Sequence, residues 1–171
     1  MMPWLRGLDA RDHALFVRCA LSPSCAVQSR RFWMGITHLG GARGSIACCL
    51  LALTIPGVTP LLVWHTLLLL GASHLVVQVV KRTVGRPRPT VRLSIDALIQ
   101  VPDRFSFPSG HACAAMAVAV GFASAFPSLT LPLLALAWTV GFSRVALGVH
   151  YPGDVLVGQV IALACAWPLI A

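Results

Sequence analysis

Leu61-Leu62-Val63-Trp64-His65-Thr66-Leu67-Leu68-Leu69-Leu70-Gly71-Ala72-Ser73-His74-Leu75-Val76-Val77-Gln78-Val79-Val80 runs without a charge, and Lys81-Arg82 ends it abruptly. A helix of that length is about 30 Å long, the thickness of a bilayer's hydrocarbon core. Before it, Pro56-Gly57 and Pro60 supply a turn, and the chain from Arg30 to Ile55 becomes progressively apolar. Arg30, Arg31 and Arg43 mark the polar end of that first helix. Beyond Val80, Lys81 to Phe107 reads as a polar connection rich in Pro and Arg. Three apolar segments follow, His111 to Phe126, Leu129 to Leu147 and Val155 to Ile170. The shorter ones imply tilt or extension through flanking residues. Residues 3 to 22 mix Trp4, Leu5, Leu15, Phe16 and Val17 with Arg6, Arg11 and Arg18. That segment is too polar to span and suits a helix lying in the interface, ended by Ser22-Pro23-Ser24.

The expected fold is all-α: a polytopic membrane helix bundle of about five spanning helices plus an N-terminal interfacial amphipathic helix, since a span must satisfy its backbone internally. Residues 1–29 are the interfacial segment and 30–171 the membrane-embedded domain. The sequence has no internal repeat and no linker. Composition agrees: 57% of residues are hydrophobic and 11% charged, whereas a soluble domain carries about a quarter charged. Mean hydropathy is +0.82. The acids are Asp9, Asp12, Asp96, Asp103 and Asp154, against twelve Arg and one Lys, for a net charge of +8. No aromatic-interleaved basic surface accompanies that charge, so nucleic acid is not an expected partner; anionic headgroups and an anionic substrate are. The six cysteines form no C-x-x-C pair and read as small packing residues. Asp9, Arg11, Asp12, His13 and Arg18 interrupt Met1 to Val27, leaving no apolar stretch for a secretory signal.

Three polar stretches interrupt this apolar chain: Lys81 to Pro89, Pro108-Ser109-Gly110-His111, and Ser143-Arg144 with His150 and Asp154. The first follows the second span, the second opens the third, and the third joins the fourth to the fifth. Alternate crossings put all three at one membrane face. A phosphomonoester offers about two negative charges, which Lys81, Arg88 and Arg144 can neutralise, the guanidinium forks each meeting two oxygens. Ser109 and Gly110 precede an apolar helix, where free N–H groups and the helix dipole favour an anion. The Ser109 hydroxyl adds a donor, and Gly110 permits close approach. His150 and Asp154 share a helix face if a helix begins near Tyr151-Pro152. Asp154 then fixes one ring nitrogen of His150 and aims the other at phosphorus. His111 is left to protonate the departing alkoxide.

Each feature alone has a plainer meaning. An Arg at a span end is usually a snorkelling anchor, Pro-Ser-Gly is ordinarily a turn and cap, and a His–Asp pair at helical spacing is commonly structural. All three plain meanings would have to hold together on one face, which favours an enzyme.

The same residues resemble the type 2 phosphatidic acid phosphatase superfamily of integral-membrane lipid phosphatases. Its signature is Lys, six residues, Arg-Pro; then Pro-Ser-Gly-His; then Ser-Arg, five residues, His, three residues, Asp. Lys81 with Arg88-Pro89, Pro108 to His111, and Ser143-Arg144 with His150 and Asp154 match it throughout. The resemblance covers about residues 30 to 170. It implies His150 as a nucleophile forming a phosphohistidine, Asp154 as its orienting partner, His111 as general acid, and Lys81, Arg88, Ser109, Gly110 and Arg144 as the phosphate cradle. No metal and no cofactor are implied. The implied substrate is a phosphorylated lipid: phosphatidate, phosphatidylglycerol phosphate, or a polyprenyl phosphate or diphosphate. Rival readings are a lipid-phosphate binder or carrier, which would not need both histidines and Asp154, and a vanadium haloperoxidase relative. All thirteen positive charges fall on the motif face, so the positive-inside rule expects that face to be cytoplasmic, in a bacterial inner membrane.

Other polar residues carry less. His65 and His74 read as packing or helix–helix contacts. Arg82 and Arg86 read as headgroup attractants or auxiliary substrate contacts. Trp4, Trp33, Trp64 and Trp167 read as interfacial anchors. Oligomeric state is not legible.

Overall fold

The uncharged run becomes a 25-residue helix with a clear start and stop, Pro60–Val84. Thr59 caps it, its hydroxyl accepting from Leu62 N at 3.2 Å, and Pro60 occupies the first turn, where a missing N–H costs nothing. It ends at Gly85, whose φ of +62° is a left-handed conformation that glycine adopts freely. The computed structural model describes residues 3–22, 24–93, 98–99 and 103–170. Pro23, Asp96 and the side chains of Trp4, Leu5 and Arg6 lie outside the described residues.

In chain order the helices are α1 (Pro3–Cys19), α2 (Val27–Leu39), α3 (Ala42–Ala52), α4 (Pro60–Val84), α5 (Pro89–Leu93), α6 (Gly110–Ala125), α7 (Thr130–Ala146) and α8 (Pro152–Ile170), with a 3₁₀ turn over Pro127–Leu129. Both α4 and the stretch Pro127–Ala146 are long and apolar enough to cross a bilayer, and α3, α6 and α8 are shorter apolar helices. The fold is an all-α membrane bundle. Counting the pair α2–α3 as one unit, the bundle has about five membrane-spanning elements among the described residues, with α4, α6, α7 and α8 the others, and α1 packs against α7 and α8.

Two boundaries differ from expectation. The first span is a broken helix, interrupted at Gly40-Gly41. The break brings backbone against backbone: a Cβ on Gly40 would fall 2.7 Å from His111 O and 2.6 Å from Val140 Cγ1. The second span continues through Lys81 to Val84, so Lys81 stands on a helix, one turn above its glycine stop, and not in a loop.

The central helix is α6, which packs against α4, α7 and α8. Its buried residues are largely Ala, Gly and Cys, which let neighbouring axes approach closely. Where α8 crosses it, Gly158 leaves space that a Cβ would lose, at 2.4 Å from Ser109 O. Cys49 and Cys113 are buried in apolar clusters, as small packing residues. Trp64 and Trp167 face outward. Trp33 instead packs edge-on against Phe142, with ring centres 5.3 Å apart, joining α2 to α7.

Candidate active site

The helix ends above converge. Lys81 lies in the last turn of α4, Arg88 just before α5, and Arg144 in the last turn of α7. Ser109 caps α6, with Gly110 and His111 in its first turn; His150 lies in the α7–α8 connection and Asp154 in the first turn of α8. All eight expected site residues therefore stand at one end of the bundle.

Lys81, Arg88, Arg144, His150 and Asp154 are each at most 5% exposed. Ionised groups removed from water need partners. Lys81 and Arg88 find one in Asp103: Lys81 Nζ is 2.7 Å from Oδ2 and Arg88 Nη2 is 2.8 Å from Oδ1. Arg88 Nε also donates to Asp103 O at 2.9 Å. Arg144 has no carboxylate against it among the described residues. Its Nη1 donates to Thr37 Oγ1 at 2.7 Å, and its buried Nε has no hydrogen-bond partner.

The tautomer of His150 follows from its neighbours. Arg88 Nη1 lies 3.2 Å from His150 Nε2 and also donates to Val149 O at 2.8 Å. A guanidinium only donates, so Nε2 accepts, and a neutral ring then carries its proton on Nδ1. Nδ1 faces Asp154 Oδ2 at 3.5 Å, within ion-pair range but not yet a formed hydrogen bond. Burial pushes the His150 imidazole down to about 4, against the pull of Asp154 and helped by the charges of Arg144 and Arg88. The ring is thus neutral near pH 7, with a lone pair directed at the cations.

The two sides of the site are tied together by backbone. Arg144 O accepts from Val149 N at 3.1 Å and His150 N at 3.2 Å, while Ser109 N donates to Asp154 O at 2.9 Å. The Ser109 N–H is therefore committed to Asp154 and is not among the free N–H groups of this helix start. Its hydroxyl oxygen accepts from Ala112 N at 3.4 Å, which leaves the hydroxyl proton available. The open backbone donors of this helix start are those of Gly110 and His111. No protein atom comes within 3.9 Å of where a Gly110 Cβ would sit, so packing does not demand glycine there.

Four residues matter here that sequence reading passed over or undervalued. Asp103 bridges Lys81 and Arg88. Burial works against its charge, but the two cations outweigh burial and hold the carboxyl below its usual range. Arg86 points inward, its Nη1 2.6 Å from Asp154 Oδ1, and does not serve as an outward headgroup attractant. Asp9 and Asp12 of α1 grip the same guanidinium, each at 2.8 Å. A signal was available: with so few acids in the chain, every described carboxylate pairs with a motif cation or a motif neighbour.

The chain is similar to known proteins. A family profile described as the PAP2 superfamily matches residues 62–171. Decaprenylphosphoryl-5-phosphoribose phosphatase of Mycolicibacterium smegmatis is 41% identical over 90 residues, half of this chain and 46% of that protein. The matched region thus spans about half the length of that curated relative. Phosphatidylglycerophosphatase B of Bacillus subtilis is 34% identical over 158 residues, 81% of this chain and 74% of that protein. The crystal structure of a transmembrane PAP2-type phosphatidylglycerolphosphate phosphatase from Bacillus subtilis superposes with a TM-score of 0.78 at 26% identity, covering 95% of this chain and 84% of that one. With the profile running from the start of α4 through every motif residue, and a relative aligned along most of its length, the chain belongs to the PAP2 superfamily.

Proposed function

We propose that the chain hydrolyses the phosphate ester or diphosphate of a membrane lipid through a phosphohistidine on His150. The observation that carries this reading is the buried His150 ring, its Nε2 3.2 Å from Arg88 Nη1 in a group of buried cations of which one, Arg144, has no carboxylate against it among the described residues. A phosphate dianion supplies the missing charge, gripped by Lys81, Arg88 and Arg144 and by the Gly110 and His111 N–H groups and the Ser109 hydroxyl. Nε2 attacks phosphorus in line, the P–O bond to the lipid breaks, and His111 gives its proton to the leaving oxygen. Positive charge growing on the ring is balanced by Asp154 through Nδ1–H. Water then attacks the phosphohistidine, His111 takes its proton, and inorganic phosphate leaves. The cations stabilise the equatorial oxygens in both steps.

The substrate class follows from where the site sits, at the end of apolar helices in a bilayer: a phosphorylated lipid whose tail remains in the membrane. The names of the relatives, which concern decaprenyl and phosphatidylglycerol lipids, support that class. Phosphatidate, phosphatidylglycerol phosphate and polyprenyl phosphates or diphosphates are the candidates. The bias of positive charge to the motif end supports a cytoplasmic-facing site in a bacterial inner membrane. The test is phosphate release by detergent-purified protein in EDTA, across a panel of those lipids, with His150→Ala as blank. Release confined to the wild type supports the reading and ranks the substrates. No release from any lipid returns the chain to a binding or carrier role.

A further inference from the structure

We infer that the N-terminal helix is a positioning element of the active site: Asp9 and Asp12 hold Arg86 so that it engages Asp154 through one oxygen only, leaving the other for His150. This rests on the proposed function for its catalytic meaning and on geometry for its existence. Arg86 is surrounded. Its Nη2 donates to Asp9 Oδ1 at 2.8 Å, while Nη1 is shared between Asp12 Oδ2 at 2.8 Å and Asp154 Oδ1 at 2.6 Å. Its guanidinium carbon lies 4.1 Å from the centre of the Tyr151 ring, a cation–π contact that fixes the plane of the fork. Arg92 closes the far side by pairing with Asp9.

The consequence falls on Asp154. Its Oδ1 is taken by Arg86, and its Oδ2 accepts from Tyr151 N at 2.9 Å and faces His150 Nδ1 at 3.5 Å. A guanidinium with no other anion would form a two-pronged pair with Asp154, occupying both oxygens and competing with the imidazole. Two carboxylates from α1 oppose that, Asp12 sharing Nη1 with Asp154 and Asp9 taking a proton of Nη2. Asp12 also acts on α8 directly, its Oδ1 accepting from Gly153 N at 2.7 Å, so it caps the helix that carries Asp154. Gly153 is what allows the approach, because a Cβ there would meet Asp12 Oδ2 at 2.8 Å. Asp9 and Asp12 lie outside the family-profile match at residues 62–171.

Asp12, Arg86 and Gly153 are thus positioning residues acting through Asp154, and two variants test them from opposite directions. Asp12→Ala removes the grip. Gly153→Ala pushes the grip away while introducing a better helix former at the start of α8. In full-length protein, with phosphatidylglycerol phosphate in mixed micelles, both should lower kcat about tenfold or more with KM within about twofold. The double variant should lose no more than the worse single one, as expected of residues acting as one unit. Gly153→Ala should leave Tm unchanged or higher. Loss of kcat without loss of stability is the signature a merely structural contact would not give. Unchanged kcat in both variants, a rise in KM alone, or additive losses would overturn the inference. ¹⁵N NMR of the His150 imidazole tests it without a substrate. Arg88 keeps the Nδ1–H tautomer in both proteins, and the Nδ1–H proton facing Asp154 Oδ2 should shift in Asp12→Ala; identical spectra would sink the idea even if no lipid is turned over. An inactive wild type with the expected NMR change would refute the proposed function and leave the positioning intact.

Discussion

The two ends of this bundle are made by the same helices and could hardly differ more. At the motif end, Lys81, Arg88, Arg144, His150 and Asp154 lie buried, Asp103 bridging Lys81 and Arg88, and His150 lying between Arg88 and Asp154. Towards the other end, α3, α6 and α7, with the last residue of α2, line a partly open cavity of about 270 Å³ formed by apolar residues, including Leu39, Ala119, Phe122, Leu133 and Val140. Helix α6 contributes to both: its first turn carries Gly110 and His111, and its middle lines the cavity. The contrast shows how an apolar bundle keeps charges away from water. They are gathered where helix starts and ends already present unsatisfied backbone groups, and each is tied to a neighbouring group, Arg144 to Thr37 among them.

The strongest way to break the contrast is His150→Ala, expected to reduce phosphate release by at least about 1,000-fold, as removal of an attacking group does in comparable enzymes. The lipid-release assay checks it, and residual turnover near wild type would remove His150 as the nucleophile. Next is Arg144→Lys. It keeps the charge but loses the fork, and kcat/KM should fall about 100-fold, the scale of losing one anion-stabilising donor. Unchanged kcat/KM would make Arg144 an anchor of α7 only.

Asp103→Asn sharpens the comparison in a different way. The Asp103 carboxylate holds two cations that the proposed phosphate site also uses, so its removal should strengthen inhibition by inorganic phosphate about tenfold while lowering Tm by a few degrees, the partly exposed pair being screened. The sign with pH is fixed. Because the folded carboxyl titrates below its ordinary 3.8, its stabilisation is complete above that value and disappears as pH falls through the lower folded value. The Tm difference between wild type and Asp103→Asn should therefore vanish in acid; a gap that persists there would refute the pairing. The smallest effect belongs to the apolar end. Ala119→Leu, directed into the cavity, should shift Tm by less than about 3 °C and leave release from a short-chain substrate within twofold. A large loss of release would show that the two ends are coupled.

Much of this molecule was legible in order of sequence. The body of the second span, with the prolines before it, and the three motifs beside apolar runs are local patterns, and local patterns are what a single sequence displays; the end of that span reads as Val80 from hydropathy and stands at Val84, before Gly85. What escaped was contact across long separations. Nothing near Arg86 indicates that it meets Asp9 and Asp12, more than seventy residues earlier, or that Asp103 lies between Lys81 and Arg88. Thr37 against Arg144 is the same kind of fact, at a separation of 107 residues. The break at Gly40-Gly41 was hidden for a related reason: it answers to the backbone of His111, not to its own neighbours. Ser109 reads correctly as a helix cap, yet its N–H goes to Asp154, which only the crossing of α6 and α8 decides.

That last bond has a consequence for the protein's tolerance of its surroundings. The cradle side of the site hangs from the start of α6 and the His150 side from the start of α8. Ser109 N–H to Asp154 O, with Gly158 closed against Ser109, fastens those two starts like the pivot of a pair of scissors. Membranes of different thickness make helices tilt, and tilt spreads whichever ends are free. In this bundle Ala162 and Ala166 of α8 are buried in one cluster with Cys113, Met116 and Ala117 of α6, so the pivot is continued down the pair and the two helices should tilt as one body when the lipid thickness changes.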